Sequence, residues 1–217
     1  MSEIPLLQKI VLFAIPIIFA ITVHEVAHGW VANKLGDPTA KLLGRLTLNP
    51  IKHMDPIGTV VLPLLMIILT PYAFGWAKPV PVDWRNLRQP RRDMALVAVA
   101  GPLANLFMLF IWIVFLLVVE KLLPFSAYTL HLLQSMAAVG ILINIILIVL
   151  NLLPLPPLDG SRIVAAFLSP ALSLQYQKLE KWGLLILVAL MFSGILGRIL
   201  QPLVGFLLSL VDLIVAV

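Results

Sequence analysis

The chain has 217 residues, 61% of them apolar and only 12% charged, with a net charge of +5 and no cysteine. A soluble domain carries about 25% charged residues, and a chain of this size could not hide so much apolar surface from water, so a water-soluble globule is excluded and lipid contact is implied. The absence of thiols rules out disulfides and thiolate metal sites, leaving imidazoles and carboxylates as ligands.

The first apolar run covers about residues 6–33. Glu3 stands where a signal peptide would be basic, and no small-residue cleavage site follows, so residues 6–23 are expected to belong to the mature protein. The second half of the run reads Thr22-Val23-His24-Glu25-Val26-Ala27-His28-Gly29-Trp30. On a helix His24 and His28 share a face and can reach one ion, while Glu25 lies about 100° round from His24. Metal-assisted hydrolysis needs that arrangement: two imidazoles on a zinc ion, and a carboxylate that reaches a zinc-bound water without being a ligand. With four His and four Glu in the chain, the spacing arises by chance in roughly one such sequence in a thousand. Each ionisable group in a membrane helix also costs about 2.5–3.5 kcal/mol on insertion scales, so an unused cluster is a poor explanation.

A basic loop follows, with Lys34, Lys41, Arg45 and Lys52, and then a short apolar run, Ile57–Tyr72, that contains Gly58, Pro63 and Pro71. The segment Gly75–Asp83 holds Trp76 and two prolines, Pro79 and Pro81, which exclude an ordinary helix or an interior strand. It is expected to form an edge strand against which an unwound substrate aligns. A second basic loop carries Lys78, Arg85, Arg88, Arg91 and Arg92. Full-length apolar runs then cover about 94–120, about 131–152 and about 182–200, and a last short run, Leu203–Val217, begins after Pro202, where a helix is expected to break.

If Ile57–Tyr72 re-enters instead of crossing, 12 of the 15 basic residues lie on the cytoplasmic side, with only Lys9, Lys121 and Arg198 outside. Irregular backbone at membrane depth needs protein or water around it, so a re-entrant segment would border a polar cavity. The same topology brings the His24–His28 end of the first helix to the side where the run at 131–152 ends, near Asp159. The expected fold is all-α and polytopic, with about five to six membrane segments, one of them re-entrant or short, and a small membrane-associated β element.

Zinc needs a third protein ligand beside the histidines. Candidates include His53, His131, Asp37, Asp55, Asp83, Asp93, Glu120 and Glu180, but Asp159 stands out by its surroundings, Asn151-Leu152-Leu153-Pro154-Leu155-Pro156-Pro157-Leu158-Asp159-Gly160. Three prolines after an apolar helix enforce an extended backbone, and Gly160 lets the chain turn, so the carboxylate can face a cavity instead of lipid. His24-Glu25-x-x-His28 together with Asn151-x-x-Pro154-x-Pro156-x-Leu158-Asp159-Gly160 resembles the site-2 protease family of intramembrane metalloproteases (peptidase M50). Gly101-Pro102-x-x-Asn105 and residues 44–92, from Gly44-Arg45 through Phe74-Gly75-Trp76-Ala77-Lys78-Pro79-Val80-Pro81, extend the likeness to its short prokaryotic members. The resemblance implies one Zn2+ on His24, His28 and Asp159, Glu25 as general base, and substrates that are transmembrane helices. Residues 1–217 read as one membrane-embedded metalloprotease domain, with no room for the PDZ or CBS domains of many relatives. A multi-pass position in the prokaryotic plasma membrane is expected, with the site toward the cytoplasm.

Asn105, Asn151, Trp76 and His53 are further candidates for contact with substrate or for orienting a ligand, whereas Asn144 reads as helix packing and His131 as interfacial. Trp30, Trp84 and Trp182 read as interfacial anchors, and Trp112 as packed or lipid-facing. A zinc-binding membrane protein or transporter without proteolytic activity is the rival reading. The helices at 94–119 and 131–150 offer no internal carboxylate for an ion path, which argues against transport.

Overall fold

The computed structural model describes residues 6–61, 75, 77–121 and 125–216. Helix α1 spans Leu6–Lys34, the short α2 Thr39–Leu42, α3 Pro90–Lys121, α4 Ala127–Asn151, α5 Asp159–Phe167, α6 Pro170–Gln177, α7 Glu180–Phe192 and α8 Ile195–Val215. Among the described residues four helical stretches are long and apolar enough to cross a bilayer, namely Ile10–Lys34, Pro90–Lys121, Ala127–Asn151 and Ile195–Val215. No strand occurs among the described residues, and the protein is an all-α membrane protein.

Local signals set the helix ends. Helix α1 closes on Gly36, whose φ of +116° suits a residue without Cβ, and the Asp37 amide returns 2.9 Å to the Ala32 carbonyl before Pro38 forbids continuation. Helix α3 opens with Pro90, and Asp93 in its first turn accepts the Gln89 amide at 2.8 Å. Ser126 caps α4 by accepting the Thr129 amide.

Helix α3 is the hub, packed against α4, α1 and α5. Leu109, Trp112 and Ile113 of α3 interlock with Ala137, Ile141, Ile145 and Val149 of α4, and Val211 of α8 joins that cluster. The Trp112 indole fills the notch at Gly140, where a Cβ would lie 2.3 Å from its ring. Trp112 is therefore packed within the bundle. The opposite faces stay apolar and open, with Leu103, Phe107 and Phe110 each more than half exposed, as a lipid-facing surface requires.

Three expectations meet the structure differently. The break in the last apolar region falls at Gly194, with φ of +74°, and not at Pro202, which lies inside α8. The run at 182–200 is consequently divided between α7 and α8, and the full-length apolar helix here is Ile195–Val215. A left-handed glycine turn stops a helix outright, whereas a proline within an apolar helix removes one backbone donor and kinks the helix without necessarily ending it. Of the expected re-entrant segment, residues 57–61 belong to a π-helical turn at Pro56–Val61, and residues 62–72 lie outside the described residues.

The third difference concerns residues 75–83, where Trp76 lies outside the described residues. Residues 77–83 carry no regular secondary structure, end on an extended Asp83, and belong to no β ladder among the described residues. Other bonds hold them. The buried Arg45 guanidinium donates to the carbonyls of Lys78 at 2.9 Å and Pro79 at 3.3 Å, and the Lys78 amide donates to the His53 carbonyl at 2.9 Å. Beyond Val80, the fully buried Asp37 takes the Asp83 amide at 2.7 Å, the Asn86 amide group at 3.1 Å, and the Thr39 amide and hydroxyl.

Burial alone would raise the Asp37 pKa, but the donors from Thr39, Asn86 and Asp83 outweigh it and hold the carboxyl below its ordinary value. A lowered folded-state pKa gives stability that is complete above the unfolded value of about 3.9 and is lost as pH falls through the folded one. Asp37→Asn is therefore expected to lower the thermal stability of the detergent-solubilised protein at pH 7. The difference from wild type should shrink below about pH 4, as followed by melting curves across pH.

Candidate metal centre

His24 and His28 lie one turn apart on α1, both buried, with imidazole planes at 86°. Their Nε2 atoms are 3.0 Å apart, and Asp159 Oδ2, from the first turn of α5, lies 3.3 Å from each. The other ring nitrogens are engaged outward. His28 Nδ1 is 2.7 Å from the Val97 carbonyl, and His24 Nδ1 is 2.5 Å from Asn105 Oδ1. A carbonyl only accepts, so His28 Nδ1 carries a proton, and in the neutral ring that binds a metal Nε2 holds the lone pair. The same holds for His24, because Asn105 turns its amide group toward the Ala20 carbonyl at 3.5 Å and presents oxygen to the ring.

Three acceptors thus converge with no donor among them. Asp159 Oδ2 is buried and has no hydrogen-bond partner, and the three ligand atoms lie within 4.8 Å of one another. Such a cluster is repulsive by itself and fits a divalent cation, for which two imidazoles and a carboxylate are a suitable donor set. Both Nδ1–H bonds fix ring orientation in the manner usual for histidine ligands of zinc.

The backbone makes room for this convergence at two glycines. A Cβ on Gly101 would lie 2.5 Å from His24 Cε1 and from His28 Nε2, so only glycine lets α3 abut the two rings. A Cβ on Gly160 would lie 2.3 Å from the Leu152 carbonyl, so glycine also lets the start of α5 tuck under the end of α4. Arg91 secures the far end of α5 by donating from Nε to the Ala166 carbonyl at 2.6 Å and from Nη2 to the Leu168 carbonyl. These contacts hold Asp159 opposite the histidines.

A cavity of about 290 Å³ opens on the cluster, lined in part by Glu25, Val80, Trp84, Asn151 and Arg162. Glu25 Oε2 accepts the Val80 amide at 2.7 Å, tying α1 to the extended segment. Asn151 reaches the cavity from the last position of α4, and its amide group donates to the Leu147 carbonyl at 3.0 Å. At the rim the Arg162 guanidinium lies 4.7 Å from the centre of the Trp84 ring and 3.3 Å from Glu180 Oε1.

The structure therefore gathers His24, His28, Asp159, Glu25 and Asn151 around one cavity, with Asn105 behind His24. His53 is not among them. Only 2% exposed, it bonds the Thr47 carbonyl through Nε2 at 2.8 Å, and its own carbonyl anchors Lys78. Residues that chemistry-led reading overlooks are the Val97 carbonyl, the Val80 amide and Arg162. Helical spacing could have found two of them, since Val97 precedes Gly101 by one turn and Arg162 follows Asp159 by three positions.

A membrane protein holding two imidazoles, a carboxylate and a neighbouring second carboxylate in one cavity has the centre of a metallohydrolase. Comparison with known proteins specifies the family. The family model described as Peptidase family M50 matches residues 118–194. "Putative zinc metalloprotease YwhC" of Bacillus subtilis (strain 168) is 40% identical over 197 residues, covering 88% of this chain and 84% of that protein. "Putative zinc metalloprotease Rip2" of Mycolicibacterium smegmatis is 32% identical over 182 residues, covering 83% of this chain and 66% of that protein. No solved structure matches the chain.

The chain belongs to peptidase family M50, the site-2 protease family. It is a multi-pass membrane zinc metalloprotease, a hydrolase acting on peptide bonds.

Gly101→Ala is expected to weaken zinc binding about 10–100-fold by displacing both histidine rings. Gly205→Ala should leave it unchanged, since a Cβ there meets nothing within 4 Å. Metal analysis after dialysis against graded chelator checks both.

Proposed function

We propose that this protein cleaves peptide bonds in or near the transmembrane helices of other membrane proteins, as the proteolytic step of regulated intramembrane proteolysis. We further propose one zinc per chain, held by His24, His28 and Asp159. The observation that carries the reading is the position of the three-acceptor cluster, buried among helices apolar enough to span a bilayer, with Glu25 in the same cavity.

Zinc, when bound, supplies the Lewis acid that activates water and polarises the scissile carbonyl. Glu25 takes the proton of the attacking water and delivers it to the departing amine. Its Oε2 is fixed by the Val80 amide, which leaves Oε1 without a protein partner among the described residues. Asn151, at the cavity wall, binds the substrate backbone near the scissile bond, and Asn105 orients His24.

A helical peptide bond is shielded by its own hydrogen bonds, so the substrate unwinds before attack. Residues 77–82, outside any helix and clamped by Arg45, His53 and Glu25, offer an edge along which an unwound segment lies. The excess of basic residues in the loops around this mouth supports a position on the cytoplasmic side of the plasma membrane. The whole chain acts as one membrane-embedded domain in this reading.

Glu25→Gln is expected to retain zinc and to lower cleavage of a single-pass membrane substrate by about 10²–10⁴-fold. Metal analysis and a gel-based cleavage assay in detergent or proteoliposomes test this with a substrate panel. Equal cutting by wild type and Glu25→Gln would sink the assignment. Zinc-binding wild type that cuts no membrane substrate would sink the substrate class.

A further inference from the structure

His24 is the one ligand whose second nitrogen bonds a side chain and not the backbone. A side-chain amide can be turned over, so something must decide which end of Asn105 faces the ring. If Asn105 presented its amide group, His24 Nδ1 would have to accept, and the ring proton would move to Nε2, where the metal belongs.

Asn105 and Asn144 are both completely buried. Asn105 Nδ2 donates to Asn144 Oδ1 at 2.9 Å, and Asn144 Nδ2 donates to the Gly140 carbonyl at 2.8 Å. The Gly140 carbonyl cannot donate, so the chain has a sense. Turning Asn144 over would set oxygen against oxygen at Gly140 and amide against amide at Asn105. With Asn144 fixed, Asn105 must offer Oδ1 to His24, the 2.9 Å bond to Asn144 being much shorter than the 3.5 Å contact to the Ala20 carbonyl that acts in the same sense, and each proton in the sequence His24, Asn105, Asn144 and Gly140 points away from the metal position. The register that brings the two asparagines level is set nearby, where Trp112 fills the Gly140 notch two turns along α3 from Asn105.

Resting on the zinc reading above, we infer that Asn144 is a positioning residue of the metal centre: from α4, and without touching a ligand, it holds Asn105 in the orientation that keeps the His24 Nε2 lone pair on the metal. The sequence alone makes Asn144 a helix-packing residue. Packing requires a buried amide to be satisfied but is indifferent to the direction of the protons, and here the direction sets the ligand.

The test compares wild type, Asn144→Leu, which keeps the approximate volume and removes both bonds, and Ile145→Val. Ile145 is the neighbouring fully buried residue and lies outside the relay. Each detergent-purified protein is titrated for zinc against a competing chelator, and its visible d–d spectrum is recorded with Co2+ as a reporter of ligand geometry. Asn144→Leu should bind zinc about 10–100-fold more weakly with an altered cobalt spectrum, while Ile145→Val, even if less stable, keeps wild-type affinity and spectrum. Unchanged zinc affinity and cobalt bands in Asn144→Leu would overturn the proposal and leave the metal site standing. Failure of wild type to bind zinc would overturn both. Because Asn144→Leu can fail to fold, wild type labelled with 15N-histidine gives an independent reading. Zinc-free His24 should carry its proton on Nδ1, and predominant Nε2 protonation would overturn the proposal.

Discussion

Three hydrogen-bond acceptors within 3.3 Å of one another, buried at the end of apolar helices, are a state that no arrangement of neutral protein groups makes comfortable. The rest of the architecture follows from holding them there. Two come from one helix at adjacent turns, which costs only the choice of residues. The third comes from a helix 135 positions later, as the residue numbers 24 and 159 show, and must be carried in by the fold. Helix α3 does much of this work. It lies between α1 and α5, gives way at Gly101 to admit the rings, and supplies the Val97 carbonyl and Asn105 that steer them.

The loops answer to the same constraint from the other side. In the proposed mechanism Glu25 is the base, and the Val80 amide holds its carboxylate at the cavity wall. That amide is available only because the segment around it is stretched, by Arg45 and His53 before it and by Asp37 after it. Asp37 itself sits directly after the glycine that ends α1. The helix bearing the ligands and the segment bearing the base's partner are therefore fastened within a few residues of the point where α1 leaves the bundle. His53 matters here as a backbone anchor, not as a ligand.

Legibility in the sequence followed the range of the interactions. His24, Glu25 and His28 were readable because a helix alone puts them together, and Asp159 because prolines and Gly160 mark an unusual break beside an unusual carboxylate. The apolar runs forecast the long helices, since lipid leaves a chain little alternative. What stayed hidden depends on contacts between distant elements. Gly101 belonged to a recognisable motif, but only the distances to both imidazoles reveal its task. Pro202 was a reasonable breaker on local grounds, whereas the chain turns at Gly194. Residues 77–83 have the prolines of an edge strand without its ladder among the described residues, where their backbone partners include the Glu25 carboxylate, the Arg45 guanidinium and the His53 carbonyl.

Charge explains why such a site is tolerable in an apolar bundle at all. As metal ligands His24 and His28 are neutral imidazoles with their protons on Nδ1, so the cluster and its neighbour then bring two carboxylates, Asp159 and Glu25, and no cation of their own. The nearest guanidinium on the cavity wall, Arg162, is already paired with Glu180 and stacked on Trp84. Two ionised carboxylates without counter-charge would be costly to bury, and a monovalent cation would leave the site negative. One divalent ion brings the total to zero. The residue set is therefore matched to a dication twice over, by the geometry of its donors and by the sum of its charges, and the second match would hold even if the individual distances relaxed.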